Sequence, residues 1–287
     1  MLIGEWEVFA VETGRIRFDG GAMFGTVPKV VWEKSFPADD RNRVDLSMRC
    51  LLLQGYNRRV LVDVGAGDKW SPELRERYGI ELVPGGLRGA LTVGGVPPEG
   101  ITDVILTHLH FDHAGGATMR DEAGAIVPAF PNARVHVQRR NLEWARKPNE
   151  RERASYLPEN FEPLDEHEML KLIDGSAEVL PGVTVTLSNA HTEGMQLVRI
   201  AGDGEDGQPV ELWYTADLVP TASHVHLPWI AAYDLNALGV LEEKRALLGG
   251  IAGRNAWLVY EHDAHCVASK VQWNGTRFEA IEMAGEI

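Results

Sequence analysis

The stretch His108-Leu109-His110-Phe111-Asp112-His113 determines how the rest of the chain is interpreted. Three histidines and one carboxylate fall within six residues, directly after the apolar run Asp103–Thr107, which is typical of a buried strand. Imidazole nitrogens and carboxylate oxygens are ligands that zinc and similar ions prefer. Ala114-Gly115-Gly116 follows, and such small residues allow a tight turn. The stretch therefore predicts a metal site at the carboxyl end of a strand and not a loop of surface histidines.

The pattern His-x-His-x-Asp-His resembles the main signature of the metallo-β-lactamase-fold superfamily of hydrolases. The resemblance implies an α/β fold, a four-layer αββα sandwich, and three further ligands downstream: a His, a bridging Asp and a final His. Candidates occur in that order after predicted strands, at His191, Asp217 and His262. The loop that begins at His191 is similar to the family's His-Thr-Pro-Gly-His, with Glu193 and Met195 as departures.

The resemblance further implies two divalent metal ions. Residue by residue, the first ion would be held by His108, His110 and His191, the second by Asp112, His113 and His262, with Asp217 bridging both. Asp63 matches the family's early Asp-x-Gly motif and would support the ligands from behind. His265 competes with His262, because it also follows the last predicted strand of the site. Zinc is the expected metal, and manganese, cobalt and iron remain alternatives.

Charge and composition limit the partners. Lys and Arg total 28 and Asp and Glu total 42, so the formal charge is −14. Such a surface repels phosphate backbones and anionic membranes, which argues against a nucleic-acid or membrane partner. No apolar run approaches the ~20 residues that span a bilayer, and Met1–Glu7 does not resemble a signal peptide. Cys50 and Cys266 are expected to be buried thiols, so we expect a cytoplasmic protein.

The alternation of short apolar runs and helical patterns predicts one α/β domain over residues 1–287. Hairpins are expected at 50–64 and 197–214, and helices at 71–74, 139–146 and 235–248. The Gly- and Pro-rich segment 84–100 is expected to be a surface loop. The charged segment 147–172 is expected to be a solvated helical insertion, with a lid over the site as the alternative.

The ligand set narrows the expected activity. Its aspartate in the bridging position resembles dinuclear lactonases and organophosphate hydrolases, and Asp217–Trp229 resembles a quorum-quenching lactonase branch that is itself similar to methyl parathion hydrolases. The resemblance implies that a metal-bridging hydroxide opens an acyl-homoserine lactone or related lactone, with promiscuous ester and phosphotriester cleavage. An organophosphate hydrolase, a glyoxalase-II-like thioesterase and a non-catalytic metal-binding module remain alternatives. A homodimer is expected by analogy.

The substrate wall is expected to combine an apolar, glycine-flanked loop near the N-terminus with aromatic and histidine side chains. Core packing is the competing interpretation for each of these side chains. Some lactonases of the family carry a tyrosine three residues after the bridging Asp, where this chain has Pro220, so His224 or Tyr233 would have to supply a donor. The predicted wall consists of Met23, Phe24, Phe111, His224, Trp229 and Tyr233.

Overall fold

The computed structural model describes residues 1–287 and contains two large β-sheets and eight α-helices. The strands are β1 (Leu2–Ile3), β2 (Trp6–Asp19), β3 (Arg43–Gly55), β4 (Arg58–Val62), β5 (Glu81–Leu82), β6 (Asp103–Ile105), β7 (Thr118–Arg120), β8 (Ile126–Pro128), β9 (Arg134–Gln138), β10 (Leu170–Ile173), β11 (Ala177–Leu180), β12 (Val183–Ser188), β13 (Met195–Asp203), β14 (Pro209–Tyr214), β15 (Ala256–Val259), β16 (Ala268–Trp273) and β17 (Phe278–Ala284). The helices are α1 (Gly20–Phe24), α2 (Lys29–Trp32), α3 (Pro72–Tyr78), α4 (Gly86–Val93), α5 (Phe111–Ala114), α6 (Arg139–Arg146), α7 (Glu162–Glu166) and α8 (Ala237–Ile251).

The two sheets divide the chain into halves. The first has the order β1-β2-β3-β4-β6-β9-β10, with β5 alongside β2, and its strands β4, β6, β9 and β10 are parallel. The second has the order β11-β12-β13-β14-β15-β16-β17, and only β14 and β15 are parallel in it. A separate two-stranded sheet pairs β7 with β8. Because β4 and β6 run parallel, the segments that follow them emerge at the same edge of the first sheet.

Side-chain alternation along the strands separates the apolar layers. Leu51 and Leu53 of β3 belong to the largest buried cluster, which also contains residues of the second sheet, whereas Leu52 belongs to the cluster that includes α4 and α6. This period of two is the ordinary consequence of strand geometry. Val240 and Leu248 of α8 pack into the inter-sheet cluster from the second half. The layers form the expected metallo-β-lactamase-type fold of two sheets with flanking helices.

Most elements expected from the sequence are present. β3 pairs with β4 and β13 with β14 as antiparallel hairpins, and α3 begins after Ser71, whose hydroxyl accepts a hydrogen bond from the Leu74 amide. Cys50 and Cys266 are buried and free, as expected. None of the helices combines the length and the apolarity that crossing a bilayer requires.

Three segments differ from expectation. The segment 84–100 is not a surface loop, because α4 occupies Gly86–Val93 and buries Leu87 and Leu91, which lie one helical turn apart. The N-terminal segment expected to be a glycine-flanked loop is the short helix α1, capped by the Asp19 side chain. The charged segment 147–172 contains one short helix, α7, and ends in β10, which extends the first sheet beside β9. Several of its side chains are buried, including Glu152 and Tyr156, so it is not a solvated insertion.

Candidate metal centre and pocket

The loop after β6 places the His-x-His-x-Asp-His motif at the sheet edge. Leu109 is fully buried, and its amide donates to the Asn141 side chain at 2.9 Å. The turn then closes against the loop after β4, because a Cβ on Gly115 would lie 2.1 Å from the Ala66 carbonyl oxygen and one on Gly116 would lie 2.2 Å from that of Val64. The glycines are therefore required by close backbone approach, which fixes the direction of the motif.

A first group of ligand-type side chains brings together three imidazoles and a carboxylate. His110 Nδ1 lies 3.0 Å from His108 Nε2 and 3.2 Å from His191 Nε2. Asp217 Oδ2 lies 3.1 Å from His191 Nε2. One potential ligand atom from each of the four side chains lies within 4.8 Å of those of the others, which is the spacing that a single ion would need.

A second group lies directly beside the first. It combines Asp112, His113 and His262, again with ligand atoms within 4.8 Å of one another. Asp217 reaches this group as well, because its Oδ2 lies 3.3 Å from His113 Nε2 and its Oδ1 lies 3.2 Å from His262 Nε2. One carboxylate therefore faces both groups, in the position that the sequence assigned to a bridging aspartate.

His265 lies outside this cluster. Its ring contacts Phe36 at a centroid distance of 6.0 Å, and its backbone amide donates to the Asp263 carboxylate at 2.9 Å. His262 alone of the two competing histidines faces Asp217. The loop that carries it is held by buried Arg49, whose guanidinium donates to the carbonyl oxygens of Tyr260, Asp263 and Cys266.

Each imidazole of the second group has an acceptor in or directly after a strand of the first sheet, and His113 Nδ1 also lies 2.9 Å from Glu261 Oε2. His113 Nδ1 donates to Asp63 Oδ2 at 3.0 Å, and Asp63 is itself held by the Thr107 amide at 2.7 Å. His262 Nδ1 donates to the Ser47 carbonyl oxygen at 2.9 Å. These contacts fix the tautomer, so that Nε2 of each ring points toward Asp217. Asp63 thus lies behind the cluster, where the sequence motif located it.

Two of the three imidazoles of the first group are oriented by carboxylates that the sequence did not indicate. His191 Nδ1 donates to Asp234 Oδ1 at 2.8 Å, and His110 Nε2 lies 3.3 Å from Glu152 Oε1. Asp234 lies in an irregular segment before α8, and Glu152 lies in the charged segment 147–172. Neither belongs to a short motif, and Glu152 is one of many acidic residues around it, so nothing local in the sequence singles them out.

Backbone strain accompanies two of these residues. Asp63 has φ 55° and Ala216, directly before Asp217, has φ 45°. Left-handed backbone at such residues costs of the order of 1 kcal/mol and persists only where the surroundings impose it. The hydrogen bonds to Asp63 and the packing of buried Ala216 provide that constraint, and both residues direct carboxylates of the site.

The electrostatics of the cluster depend on competition between burial and close carboxylates. Burial, and then the charges of His113 and its neighbours, hold the pKa of His108 well below its usual value. Burial opposes charge on His262 as well, but Asp217 raises the pKa of this imidazole to about 9. For Asp217 burial is outweighed by His191, His113 and His262, which hold its pKa well below 3.8. Asp217 is therefore an anion with positive or neutral rings on several sides.

The residues present fit a pair of divalent cations. His113 Nε2 is buried and has no hydrogen-bond partner, and leaving such an atom unsatisfied costs about 1–3 kcal/mol. A cation would accept that lone pair. The donor set of imidazole nitrogens and carboxylate oxygens is also the set that zinc prefers.

A pocket of about 460 Å³ opens above the cluster, and His110, Asp112, His191, Asp217 and His262 are all part of its surface. Three residues of the expected substrate wall line it, namely Met23, Phe111 and Tyr233. Pro220 lines it too, together with Phe18 and Tyr78, which the sequence did not suggest. The pocket is thus a largely apolar chamber with ligand-type side chains at its base.

The other three expected wall residues lie behind the pocket. Phe24 is fully buried, stacks on His224 at 5.4 Å and meets Trp229 edge-on at 5.6 Å. His224 Nδ1 accepts from the Thr221 hydroxyl at 2.7 Å and its Nε2 donates to the Met23 carbonyl oxygen at 3.1 Å. Both ring nitrogens are therefore occupied, and burial lowers the pKa of His224 to about 3. His224 supports the wall. It does not supply the hydrogen-bond donor that some family members have as a tyrosine where this chain has Pro220.

The charged segment 147–172 forms one side of the pocket. Arg151, Glu152, Ala154 and Ser155 line it, and the Ser155 carbonyl oxygen accepts from the Phe111 amide at 2.9 Å. The Arg151 guanidinium reaches across to the carbonyl oxygens of Ala232 and Asp234. The segment therefore covers part of the site, which is closer to the lid alternative than to a solvated surface.

Two facing sheets with a histidine and aspartate cluster at their shared edge define a metallo-hydrolase fold. The chain belongs to the metallo-beta-lactamase superfamily, whose sequence profile matches residues 48–229. An N-acyl homoserine lactonase of a Bacillus species is 30% identical over 180 residues, which are 59% of this chain and 63% of that relative. The alignment therefore spans somewhat less than two thirds of the relative's length.

Solved structures give the same fold over the whole chain. A probable metal-dependent hydrolase from Staphylococcus aureus superposes with a TM-score of 0.88 at 28% identity and covers 100% of both chains. AidC, described as a dizinc quorum-quenching lactonase and solved in complex with a product, superposes with a TM-score of 0.77 at 20% identity, over 98% of this chain and 95% of that one. The second likeness is one of fold.

Proposed function

We propose that this protein is a dinuclear zinc hydrolase that opens lactone rings, with N-acyl homoserine lactones as the leading substrate class. The single observation that carries the proposal is the position of Asp217, one carboxylate that faces both ligand groups at the base of the apolar pocket. The relative named as an N-acyl homoserine lactonase supports the choice of lactones among possible esters.

The ligand assignment that we propose follows the two groups. His108, His110 and His191 would hold one ion, Asp112, His113 and His262 the other, and Asp217 both. When bound, a pair of divalent ions lowers the pKa of water to about 7 and polarises a carbonyl oxygen. Asp63, Ser47, Glu152 and Asp234 keep four of the five rings, all but that of His108, in the tautomers that such binding needs.

The chain's own groups would then carry the protons. Asp112 lines the pocket beside Asp217, where its carboxylate can take the proton of the attacking water and return it to the alkoxide that leaves the ring. Burial, followed by the charges of Asp19 and Asp112, raises the pKa of Tyr233, so its hydroxyl stays protonated at neutral pH. Tyr233 is the donor that we assign to the substrate's polar group, in place of a tyrosine at position 220.

The apolar wall accounts for substrate selection. Phe18, Met23, Tyr78 and Phe111 face the chamber, and an acyl chain buried against them gains about 25 cal/mol for each Å² removed from water. The amide and lactone oxygens would remain near Asp217 and Tyr233. A bulky polar leaving group would lose this apolar contact, which disfavours glutathione thioesters.

A hydrolysis panel on zinc-loaded protein tests the proposal. It compares N-acyl homoserine lactones, simple γ- and δ-lactones, a β-lactam, a glutathione thioester and a phosphotriester by kcat/KM. We expect the acyl homoserine lactones to lead by at least about tenfold, a difference of about 1.4 kcal/mol in transition-state binding. A panel led by the phosphotriester or the thioester would contradict the lactonase assignment and retain a metal-dependent hydrolase.

Metal analysis accompanies the panel. We expect two zinc ions per chain after loading and dialysis, and one ion per chain would contradict the bridging role of Asp217. Asp174, an exposed carboxylate that pairs with Arg139, provides the matched control as Asp174→Asn. The homodimer and the cytoplasmic location expected from the sequence remain predictions.

A further inference from the structure

Lys244 is a buried lysine that lies outside the ligand cluster. It occupies the middle of α8 and is fully buried. Its Nζ donates to three backbone carbonyl oxygens of one loop, those of His226 at 3.0 Å, Leu227 at 3.4 Å and Trp229 at 2.7 Å. No carboxylate forms an ion pair with it, so the main chain of this loop is its whole hydrogen-bonding environment.

The loop held by Lys244 continues into the pocket and then into the ligand cluster. Ala231, Ala232 and Tyr233 line the pocket directly after the clamped carbonyls. Asp234 follows and accepts from His191 Nδ1 at 2.8 Å. The chain then enters α8 and reaches Lys244. Residues 226–244 thus form a loop that the hydrogen bonds of Lys244 close on themselves; we call it the Lys244 ring.

Several backbone contacts show how closely the Lys244 ring packs against the site. The Ala232 amide donates to the Ala22 carbonyl oxygen at 2.8 Å, and the Leu235 amide donates to that of His191 at 3.0 Å. A Cβ on Gly25 would lie 2.2 Å from the Ile230 carbonyl oxygen. Because the segment meets α1 and the His191 loop so closely, a shift of the clamped end would be transmitted to both.

We propose that Lys244 is a positioning residue for the reaction, which holds the segment 226–236 so that Tyr233 faces the substrate and Asp234 holds His191. Three carbonyl oxygens that point at one place need a donor with several hydrogens, and an ammonium group provides three. An apolar side chain of the same length would leave the carbonyl oxygens of Leu227 and Trp229 without a partner, whereas that of His226 would keep the Trp229 amide. The part of this inference that concerns substrate rests on the proposed lactonase function.

The charges around Lys244 are consistent with this role. Burial lowers the pKa of Lys244 to about 7, and Asp234 opposes that shift. After burial, the charge of Lys244 contributes to the lowered pKa of His224 and, to a smaller extent, of His226. Lys244 therefore interacts electrostatically with His224 behind the pocket and with Asp234, the carboxylate that orients His191.

The test compares Lys244→Met with Arg245→Met, since Arg245 is the exposed neighbour on the same helix. Amide hydrogen exchange is measured on the full chain by mass spectrometry, with peptides that cover 226–236. We expect exchange in these peptides to increase about tenfold in Lys244→Met and to stay unchanged in Arg245→Met, since local opening governs exchange. Unchanged exchange in a folded Lys244→Met protein would overturn the proposal.

Kinetics and metal content distinguish positioning from general stability. We expect Lys244→Met to raise KM for the lactone about tenfold, to lower kcat less, and to lose one zinc at a lower chelator concentration than the wild type does. A lower kcat in Lys244→Met with unchanged KM and unchanged exchange would contradict positioning of the segment 226–236. If Lys244→Met fails to fold, Lys244→Gln, which keeps two donor hydrogens, is expected to give intermediate exchange. A wild type without lactonase activity would refute the proposed function, while the exchange experiment would still test Lys244.

Discussion

The two halves of the ligand cluster are supported by different parts of the molecule. His113 and His262 are oriented by Asp63, directly after β4, and by the Ser47 carbonyl oxygen in β3 of the first sheet. His110 and His191 are oriented by Glu152 and Asp234, which belong to segments without regular structure. One half is therefore built on paired strands, and the other depends on two irregular segments that tertiary packing brings to the site.

This difference has a physical consequence for the ions that we propose. Strand-edge acceptors are held by the hydrogen bonds of the sheet and move little, whereas loop acceptors move with local opening of their segments. Arg151 and Lys244 restrain the irregular segments of the first group through backbone carbonyls, as Arg49 restrains the loop of His262. The difference is that in the first group the orienting carboxylates themselves lie in such segments. We expect the first group to be the more easily perturbed half.

The largest expected effect comes from the residue that both halves share. Asp217→Asn removes the one charge that faces both groups, so kcat/KM should fall by more than the 10–100-fold typical of residues that only orient ligands. The zinc content, measured by inductively coupled plasma mass spectrometry, should fall from two ions per chain to one or none. Turnover and metal content equal to those of the Asp174→Asn control would remove Asp217 from the site.

A second pair of variants compares the halves directly. Asp234→Asn and Asp63→Asn each weaken one ligand-orienting hydrogen bond, and each should lower the affinity for one zinc about 10–100-fold. Because Asp63 also accepts from the Thr107 amide and hydroxyl, Asp63→Asn should lower Tm as well, whereas Asp234→Asn should lower it less. Chelator titrations and thermal melts check this contrast, and equal Tm losses would argue against it.

A smaller effect is expected from Glu152→Gln. The carboxylate accepts from both His110 and the Trp144 indole, at 3.3 and 2.7 Å, and a glutamine oxygen can keep one of these bonds. We expect kcat/KM to fall about three- to tenfold, since a charge-assisted hydrogen bond becomes a neutral one. Steady-state kinetics at saturating zinc measure it, and a loss as large as that of Asp217→Asn would show that Glu152 does more than orient His110.

The smallest effect concerns pH and the clamp in the loop-built half. The pKa of Lys244 is lowered from 10.5 to about 7 by burial. Between these values the unfolded chain binds more protons than the folded one, so this group makes stability rise with pH across that window, and its cost is fully present below about pH 7. The wild-type Tm minus the Tm of Lys244→Met should therefore increase as the pH rises from about 7 to 9. A wild-type Tm minus variant Tm that stays constant or falls over this range would contradict the lowered pKa of Lys244.

The parts that could be predicted from sequence are those in which chemistry is concentrated locally. His108 to His113 lie within six residues after a strand, and the later candidates each follow a strand end, so the family resemblance named the seven side chains that the structure brings together. Their role as metal ligands stays a prediction. The strands themselves follow from short apolar runs bounded by turn residues. Asp63 was also found, because its motif has a fixed spacing from its glycine.

The parts that could not be predicted depend on contacts between distant segments. Phe24, His224 and Trp229 have the composition of a pocket wall but pack one layer behind it, since aromatic residues serve cores and pockets equally well. Segment 84–100 looked like a loop because its glycines and prolines outweighed the spacing of Leu87 and Leu91. In the structure, Gly85 and Gly94 cap the helix α4, whose apolar side is buried against the first sheet.

The positions of most strands along the chain and the seven candidate ligand side chains could be predicted from the sequence itself, the strands from local pattern and the candidates from family resemblance. Only the tertiary structure decided which groups orient those side chains, which aromatic residues reach the pocket, and how segment 147–172 covers it. The reason is that a hydrogen bond such as that from His191 to Asp234 joins residues 43 apart in the chain. No local periodicity records such a pair, and folding alone brings it together.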